Sequence, residues 1–148
     1  MKIEVTENVS AVSFNNVPLN KTIMEDTLKT VANAGINVDM ISMTAPTSEI
    51  FSFGFTVNDE DMPKLLGVSK DLHKNGCPSP MINSGNRKIV LKNEKMADTV
   101  GFAARVFEIL NSLQAMILMI TTGVSEISML IRDADADTVV TAFEKEFG

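Results

Sequence analysis

The chain has no tryptophan, no tyrosine, a single cysteine, a single histidine and only three arginines in 148 residues. Each shortage removes a class of function. Without Trp or Tyr, stacking platforms for nucleic-acid bases would have to come from Phe alone. The arginines (Arg87, Arg105 and Arg132) form no basic cluster, and the formal net charge is −6. Phosphate neutralisation needs a basic stripe, so nucleic acid is not an expected partner. Cys77 has no partner for an internal disulfide. It stands between Gly76 and Pro78, four residues from His73, with no third group to orient a catalytic pair, and reads as an incidental thiol. The absence of any Cys/His cluster argues against a metal centre, and Asp133, Asp135 and Asp137 read as a polar helix start. No cofactor is expected.

Long apolar runs are also missing. The longest, Ala115 to Ile120, is far too short to span a bilayer. Met1 to Glu7 carries charge and no apolar core, unlike a signal peptide. These features point to a cytoplasmic protein without a membrane partner. At 45% hydrophobic and 22% charged, the composition is that of a globular chain. Its length suits one ordinary domain or two very small ones that lean on each other or on a second chain.

The chain reads as one pattern written twice. Val9 to Phe14 alternates like a half-buried strand. A helix is expected from about Asn20 to Ala34, with Met24, Leu28, Val31 and Ala32 on its apolar face and Gly35 closing it. Val38 to Met43 and Ile50 to Val57 read as strands. A second helix starts at Asp61 with Pro63, buries Met62, Leu65, Leu66 and Leu72, and ends at Asn75-Gly76. The second copy begins with a strand from Arg87 to Asn93. A helix follows from Asp98 to Ser112, with Val100, Ala103, Ala104, Phe107 and Leu110 on one face. Strands at Ala115 to Thr122 and Ser125 to Ile131 come next. The last helix runs from Asp135 to Phe147, with Ala136, Val139, Val140, Phe143 and Phe147 inward.

A shift of 79 residues lays Leu28 on Phe107, Val31 on Leu110, Met40 on Met119 and Ile41 on Ile120. The shared order of five elements makes this a tandem duplication. One further strand completes each copy as βαββαβ, an α+β, ferredoxin-like arrangement of an antiparallel sheet with helices on one face. Met1 to Thr6 and the segment at Met81-Ile82 are the two spare strands. The expected domains are 8–79 and 80–148, the second completed by strand 1–7.

Gly35-Ile36-Asn37-Val38-Asp39-Met40-Ile41 resembles the second-strand signature of the first ACT domain of aspartokinases. Met96 to Phe107 resembles the loop and helix of their second ACT domain, and Thr121 to Ile131 with Ala142, Phe143 and Phe147 continues the likeness. The resemblance covers nearly the whole chain. It implies a regulatory subunit without a kinase domain, rather than an enzyme, that binds a free amino acid, lysine or threonine, and dimerises through its sheets. It also implies an aspartokinase catalytic subunit as a possible partner.

The same resemblance implies two effector sites, each joining the loop of one ACT domain to the second strand of the other. One site would use Met96, Asp98, Thr99, Val100 and Gly101 with Asn37, Val38 and Asp39. The other would use Leu19, Asn20, Lys21, Thr22, Met43, Met116 and Ile117, where apolar side chains stand in place of most polar groups of the family. The chemistry suits an amino acid, since a helix N-terminus receives a carboxylate. Each residue also has a plain structural role open to it. Asp98 could cap a helix, Asn37 could satisfy a turn, and Gly101 could permit close helix–sheet packing. A ligand-free scaffold acting by protein contact is the alternative. An enzyme on this fold, such as a small acyl phosphatase, would need an anion-clasping Arg in a loop, and Arg87 has no evident catalytic companion.

Overall fold

A computed structural model describes residues 1–19, 22–74 and 76–148. They divide into two compact units, one of Ser10–Ser84 and one of Met1–Val9 with Gly85–Gly148. Two long strands supply both units. β1 spans Lys2–Pro18 and β4 spans Met81–Lys92. Met1 to Thr6 and Val9 to Phe14 are therefore parts of one strand rather than two. Its left-handed residues, Asn8 and Asn16, interrupt the pleat without ending the strand.

In the unit Ser10–Ser84, β1 is followed by helix α1 (Ile23–Asn33), β2 (Asp39–Met43) and β3 (Ile50–Asn58). The expected second helix is broken. A 3-10 turn at Asp59–Asp61 leads into α2 (Met62–Gly67), and α3 (Ser69–Lys74) follows after Val68. The hydrogen-bonded strand order is β2-β3-β1-β4. Alternate residues of β3, namely Phe51, Phe53, Phe55 and Val57, face one way with Val12 and Phe14 of β1. Ile23 and Val31 of α1, Leu65 and Leu72 cover them. Phe14 stacks on Phe53 at 4.7 Å between ring centroids. Cys77 is buried in this core and its thiol pKa is raised by desolvation. Ser10, fully buried, donates to Asp59 at 2.5 Å and lies 2.8 Å from the Ser84 hydroxyl.

The buried face of α1 is Ile23, Thr27 and Val31, flanked by partly buried Met24 and Leu28, while Ala32 is exposed. Leu66 is likewise exposed, unlike Leu65 beside it. Successive residues of a helix stand about 100° apart, and here that turn carries Leu66 from the core to solvent.

The other unit carries a 3-10 segment Glu94–Asp98, α4 (Phe102–Ser112), β5 (Ile117–Thr122), β6 (Glu126–Arg132) and α5 (Asp133–Phe147). Its strand order is β1-β4-β6-β5. The β4/β6 and β5/β6 pairs are antiparallel. A salt bridge of 2.9 Å joins Lys92 to Glu4 of β1. Ile89, Leu91, Ile127, Met129 and Ile131 pack against Val106 and Leu110 of α4 and Ala136, Val139 and Phe143 of α5.

The shift of 79 maps α1 onto α4 end for end, since Ile23 falls on Phe102 and Asn33 on Ser112. Even the helix closures correspond. Gly35 has φ +79° and Gln114, its counterpart, has φ +53°. In each copy the next two amides turn back in the same way, Gly35 to Ala32 and Ile36 to Val31, then Gln114 to Asn111 and Ala115 to Leu110. A left-handed residue other than glycine costs roughly 1–2 kcal/mol. Part of that returns as unfolded-chain entropy when glycine is installed. Gln114→Gly is therefore expected to stabilise the chain by about 0.5–1 kcal/mol, read as a rise in midpoint in urea unfolding. A fall would mean that the Gln side chain contributes more than its backbone costs.

Each unit, taken by itself, is an antiparallel sheet with helices packed on it, the ferredoxin-like arrangement expected from the pattern. The face expected of α4 also fails. The helix read from Asp98 starts at Phe102, and its inward face is Val106, Ile109 and Leu110. Val100 is fully exposed, and Ala103, Ala104 and Phe107 are also exposed. The backbone reason is Gly101 at φ +87°, which turns the chain just before the helix and delays its start.

Candidate functional site

The unit Met1–Val9 with Gly85–Gly148 contains an open groove of about 350 Å³. One side is the approach to α4, from Met96, Ala97, Thr99 and Gly101 into the first turn at Phe102, Ala103 and Ala104. The other side is the turn after β5, at Thr122, Gly123 and Val124, with Ile127 of β6. All of these residues belong to one unit.

Local chemistry builds the loop. Asn93 accepts a hydrogen bond from the Lys95 amide at 3.0 Å and starts the 3-10 segment. The Thr99 hydroxyl donates to the Lys95 carbonyl at 2.8 Å and ties the segment's end to its beginning. Gly101 then takes the left-handed conformation and gives the first bond of α4, accepting from the Arg105 amide at 3.0 Å. A Cβ at Gly101 would meet nothing within 4 Å. The glycine is required by its dihedral angle and not by close packing. The first amides of a helix have no partner within it. Those of Ala103 and Ala104 belong to the turn that borders the groove.

Phe102 lies 5.0 Å from Phe147 of α5, and Phe147 lies 6.0 Å from Phe143, so a row of rings leads from the groove into the core. Arg105, just past the groove, is held by Glu146 at 2.7 Å and by Glu108 at 2.8 Å. These two carboxylates raise its pKa further, and the Arg105 guanidinium in turn lowers that of Glu146. Arg87 sits within β4 and not in a loop. Its guanidinium bonds Asp133 at 2.7 Å and Asp137 at 2.5 Å. It is thus engaged by carboxylates and offers no anion clasp of the phosphatase kind.

Of the residues singled out in sequence, Met96, Thr99 and Gly101 line the groove, whereas Asp98 and Val100 do not. Asp98 ends the 3-10 segment, four residues before α4, and so is not the cap of that helix. Asn37, Val38 and Asp39 belong to the unit Ser10–Ser84, where Asn37 and Asp39 are exposed and Val38 packs partly on the core. In the second set, Asn20 and Lys21 lie outside the described residues. Leu19 is exposed and its amide bonds Glu49 at 2.7 Å, Thr22 precedes α1, and Met43 ends β2 with its side chain exposed. Met116 and Ile117 belong to the other unit. The Met116 amide bonds Asp135 at 3.2 Å, and Ile117 pairs with Ile131.

Sequence reasoning missed Phe102, Ala103, Ala104, Thr122, Gly123, Val124 and Ile127 as lining residues. The turn Thr122–Val124 has one local signal, a glycine between two apolar strands, and that marks a hairpin rather than a site.

Among the described residues, no helix is long and apolar enough to cross a membrane.

Residues 89–147 match the family model for the ACT domain. The strand order and the helix layer of the groove-bearing unit agree with this match to the ACT domain, and the tandem fold repeats the plan in Ser10–Ser84. The chain as a whole resembles the regulatory region of aspartokinase. It is 33% identical over 118 residues to the aspartokinase of Geobacillus stearothermophilus, matching 80% of this chain and 28% of that protein. The chain thus spans less than a third of the length of that curated relative. The ligand-free regulatory subunit of aspartate kinase from Thermus thermophilus superposes with a TM-score of 0.88 at 22% identity, covering 100% of this chain and 98% of that one. A structure of aspartokinase alpha and beta subunits gives 0.88 at 26% identity over 99% and 97%.

Proposed function

We propose that this chain is a non-catalytic, amino-acid-responsive regulatory module for an aspartokinase catalytic unit, with its effector held in the groove beside α4. The observation that carries the proposal is the groove itself, an open concavity of about 350 Å³ at the start of a helix within the ACT-matching unit. Its volume is in the range of small-molecule sites. Helix-start amides suit a carboxylate, and an open mouth suits a free metabolite that must come and go. The likeness to regulatory subunits supports a kinase as partner. Binding regulates only if the effector has different affinities for two states of that assembly.

Thermal unfolding of the purified chain against each of the twenty amino acids at millimolar concentration tests this reading. A ligand bound only by the folded state adds about 2.7 kcal/mol at a hundredfold excess over its Kd. A selective rise in midpoint with one or a few amino acids is the expected result. A flat response across all twenty would remove the effector from the proposal.

A second reading is a dimerisation module that acts by protein contact alone. Exposed apolar side chains favour it: Ile41 and Met43 on edge strand β2, and Met116 just before edge strand β5. Unpaired edges with apolar side chains invite a second chain. A flat thermal response together with a dimer in sedimentation would select this reading.

A further inference from the structure

We infer that edge strand β2 is a two-register switch, held in a bulged register by a left-handed Met40 and able to slip by one residue into a straight one. It belongs to the unit Ser10–Ser84 and does not depend on the groove. β2 runs antiparallel to β3, with Asp39 opposite Thr56, Ser42 opposite Gly54 and Met43 opposite Phe53. Three steps along β2 thus match two along β3, and the extra residue lies between Asp39 and Ser42. Met40 sits there, buried, at φ +44°. That conformation suits glycine, asparagine or aspartate and penalises a longer side chain. A bulge by itself does not demand it. β5, the counterpart of β2 under the shift of 79, also breaks register, between Ile117 and Met119, with no left-handed residue in that stretch.

Each register has its own supports. In the bulged one Met43 stands opposite Phe53, on the face of β3 that carries the aromatic core. Thr44 keeps step with Ser52. Its amide donates to the Ser52 carbonyl at 2.9 Å, and its hydroxyl accepts from the Ser52 amide at 3.1 Å. Against these stand the Met40 backbone and an interrupted ladder. Without the bulge, the pairing of Asp39 with Thr56 continues to Met40 opposite Phe55, Ile41 opposite Gly54 and Ser42 opposite Phe53. The alternation of Ile36 and Val38, which both pack on that core, then runs on through Met40. One methionine replaces the other against the rings, and a flexible side chain suits either place. The straight register gives up the Thr44–Ser52 bonds and turns Ser42 toward Phe53. A slip of one residue exchanges the faces of the side chains that follow it. It also restores an unbroken row of backbone groups along the edge, which a bulge otherwise guards.

Relaxation-dispersion NMR of the whole labelled chain reads this switch. Exchange on the microsecond-to-millisecond scale is expected at the amides of Met40–Thr44 and not at Ile117–Met119. Two variants push the equilibrium in opposite directions. Met40→Gly accepts the left-handed conformation and should lower the straight population by about fivefold or more. Thr44→Val, at an exposed position, keeps a strand former but removes the hydroxyl that accepts from Ser52. It should raise the straight population by about fivefold. Nuclear Overhauser contacts of Ser42 should then move from Gly54 to Phe53. Thr44→Val keeps the test decisive even where loss of the buried Met40 side chain unfolds Met40→Gly. Flat dispersion across β2 would overturn the switch, and so would exchange that Thr44→Val leaves unchanged. Exchange of equal size in β5 would mean general fraying of edge strands and would overturn it as well.

Discussion

Phe14→Ala is expected to destabilise the unit Ser10–Ser84 by about 3–5 kcal/mol, the range for emptying a buried aromatic site. Phe14 is fully buried in β1, 4.7 Å from the ring of Phe53 and 6.1 Å from that of Phe55. Its removal takes away a stacked pair as well as apolar area, and such pairs add about 0.5–1.5 kcal/mol beyond burial. Strands on either side pin the backbone there through ladder hydrogen bonds, so the sheet cannot collapse into the space. Domains are typically stable by only about 5–15 kcal/mol, so a large part of the native margin goes. Urea unfolding followed by circular dichroism gives the size. Phe14→Leu, which keeps most of the volume, should cost far less. The double substitution with Phe53→Ala should fall short of the sum of the two single effects, because the rings share one contact. A loss below about 1 kcal/mol in Phe14→Ala would mean that the site refills by repacking.

The core around Phe14 was legible because β3 alternates strictly. Phe51, Phe53, Phe55 and Val57 fall on one face of a strand with period two, and nothing else in that segment competes. The repeat was legible for a similar reason. It was carried by two helices of equal length at a constant shift, and α1 and α4 coincide under it. The face of α4 was not legible. Phe102, Ala103, Ala104, Val106, Phe107, Ile109 and Leu110 place apolar residues nearly all round the helix, so periodicity fits more than one stripe. Only the start of the helix decides between them, and that start depends on the φ of Gly101, which no side-chain pattern encodes.

The groove divides along the same line. Residues on its α4 side were singled out because Met96 to Phe107 resembles the loop and helix of the second ACT domain of aspartokinases, and Met96, Thr99 and Gly101 of that loop line the groove. Its far side is contributed by Thr122–Val124, some twenty residues later, and reaches the helix only because β5 pairs outside β6 in the sheet. Strand order of that kind is a long-range property. It is set by which apolar faces bury together and leaves no mark within a window of ten residues.

Phe143→Ala should be as costly as Phe14→Ala, about 3–5 kcal/mol, and should also reach the groove. Phe143 is fully buried on α5, in the core that residues of the sheet and of α4 share. Its ring lies 6.0 Å from Phe147, which lies 5.0 Å from Phe102, a lining residue. A cavity at position 143 lets Phe147 sink inward, and Phe102 loses the ring behind it. The salt bridge of 2.7 Å between Arg105 and Glu146 still ties α4 to α5 at the surface. It cannot replace that backing, because exposed ion pairs contribute about 0–1 kcal/mol. Phe143→Leu separates the two effects. It leaves a smaller void, so the chain stays folded at room temperature while the wall loosens. Titration of that variant with the best-binding amino acid should show a weaker Kd, whereas Phe14→Leu, placed in the other unit's core, should leave the Kd unchanged. Equal losses of affinity in both variants would mean that the groove responds to stability in general and not to the row of rings that supports it.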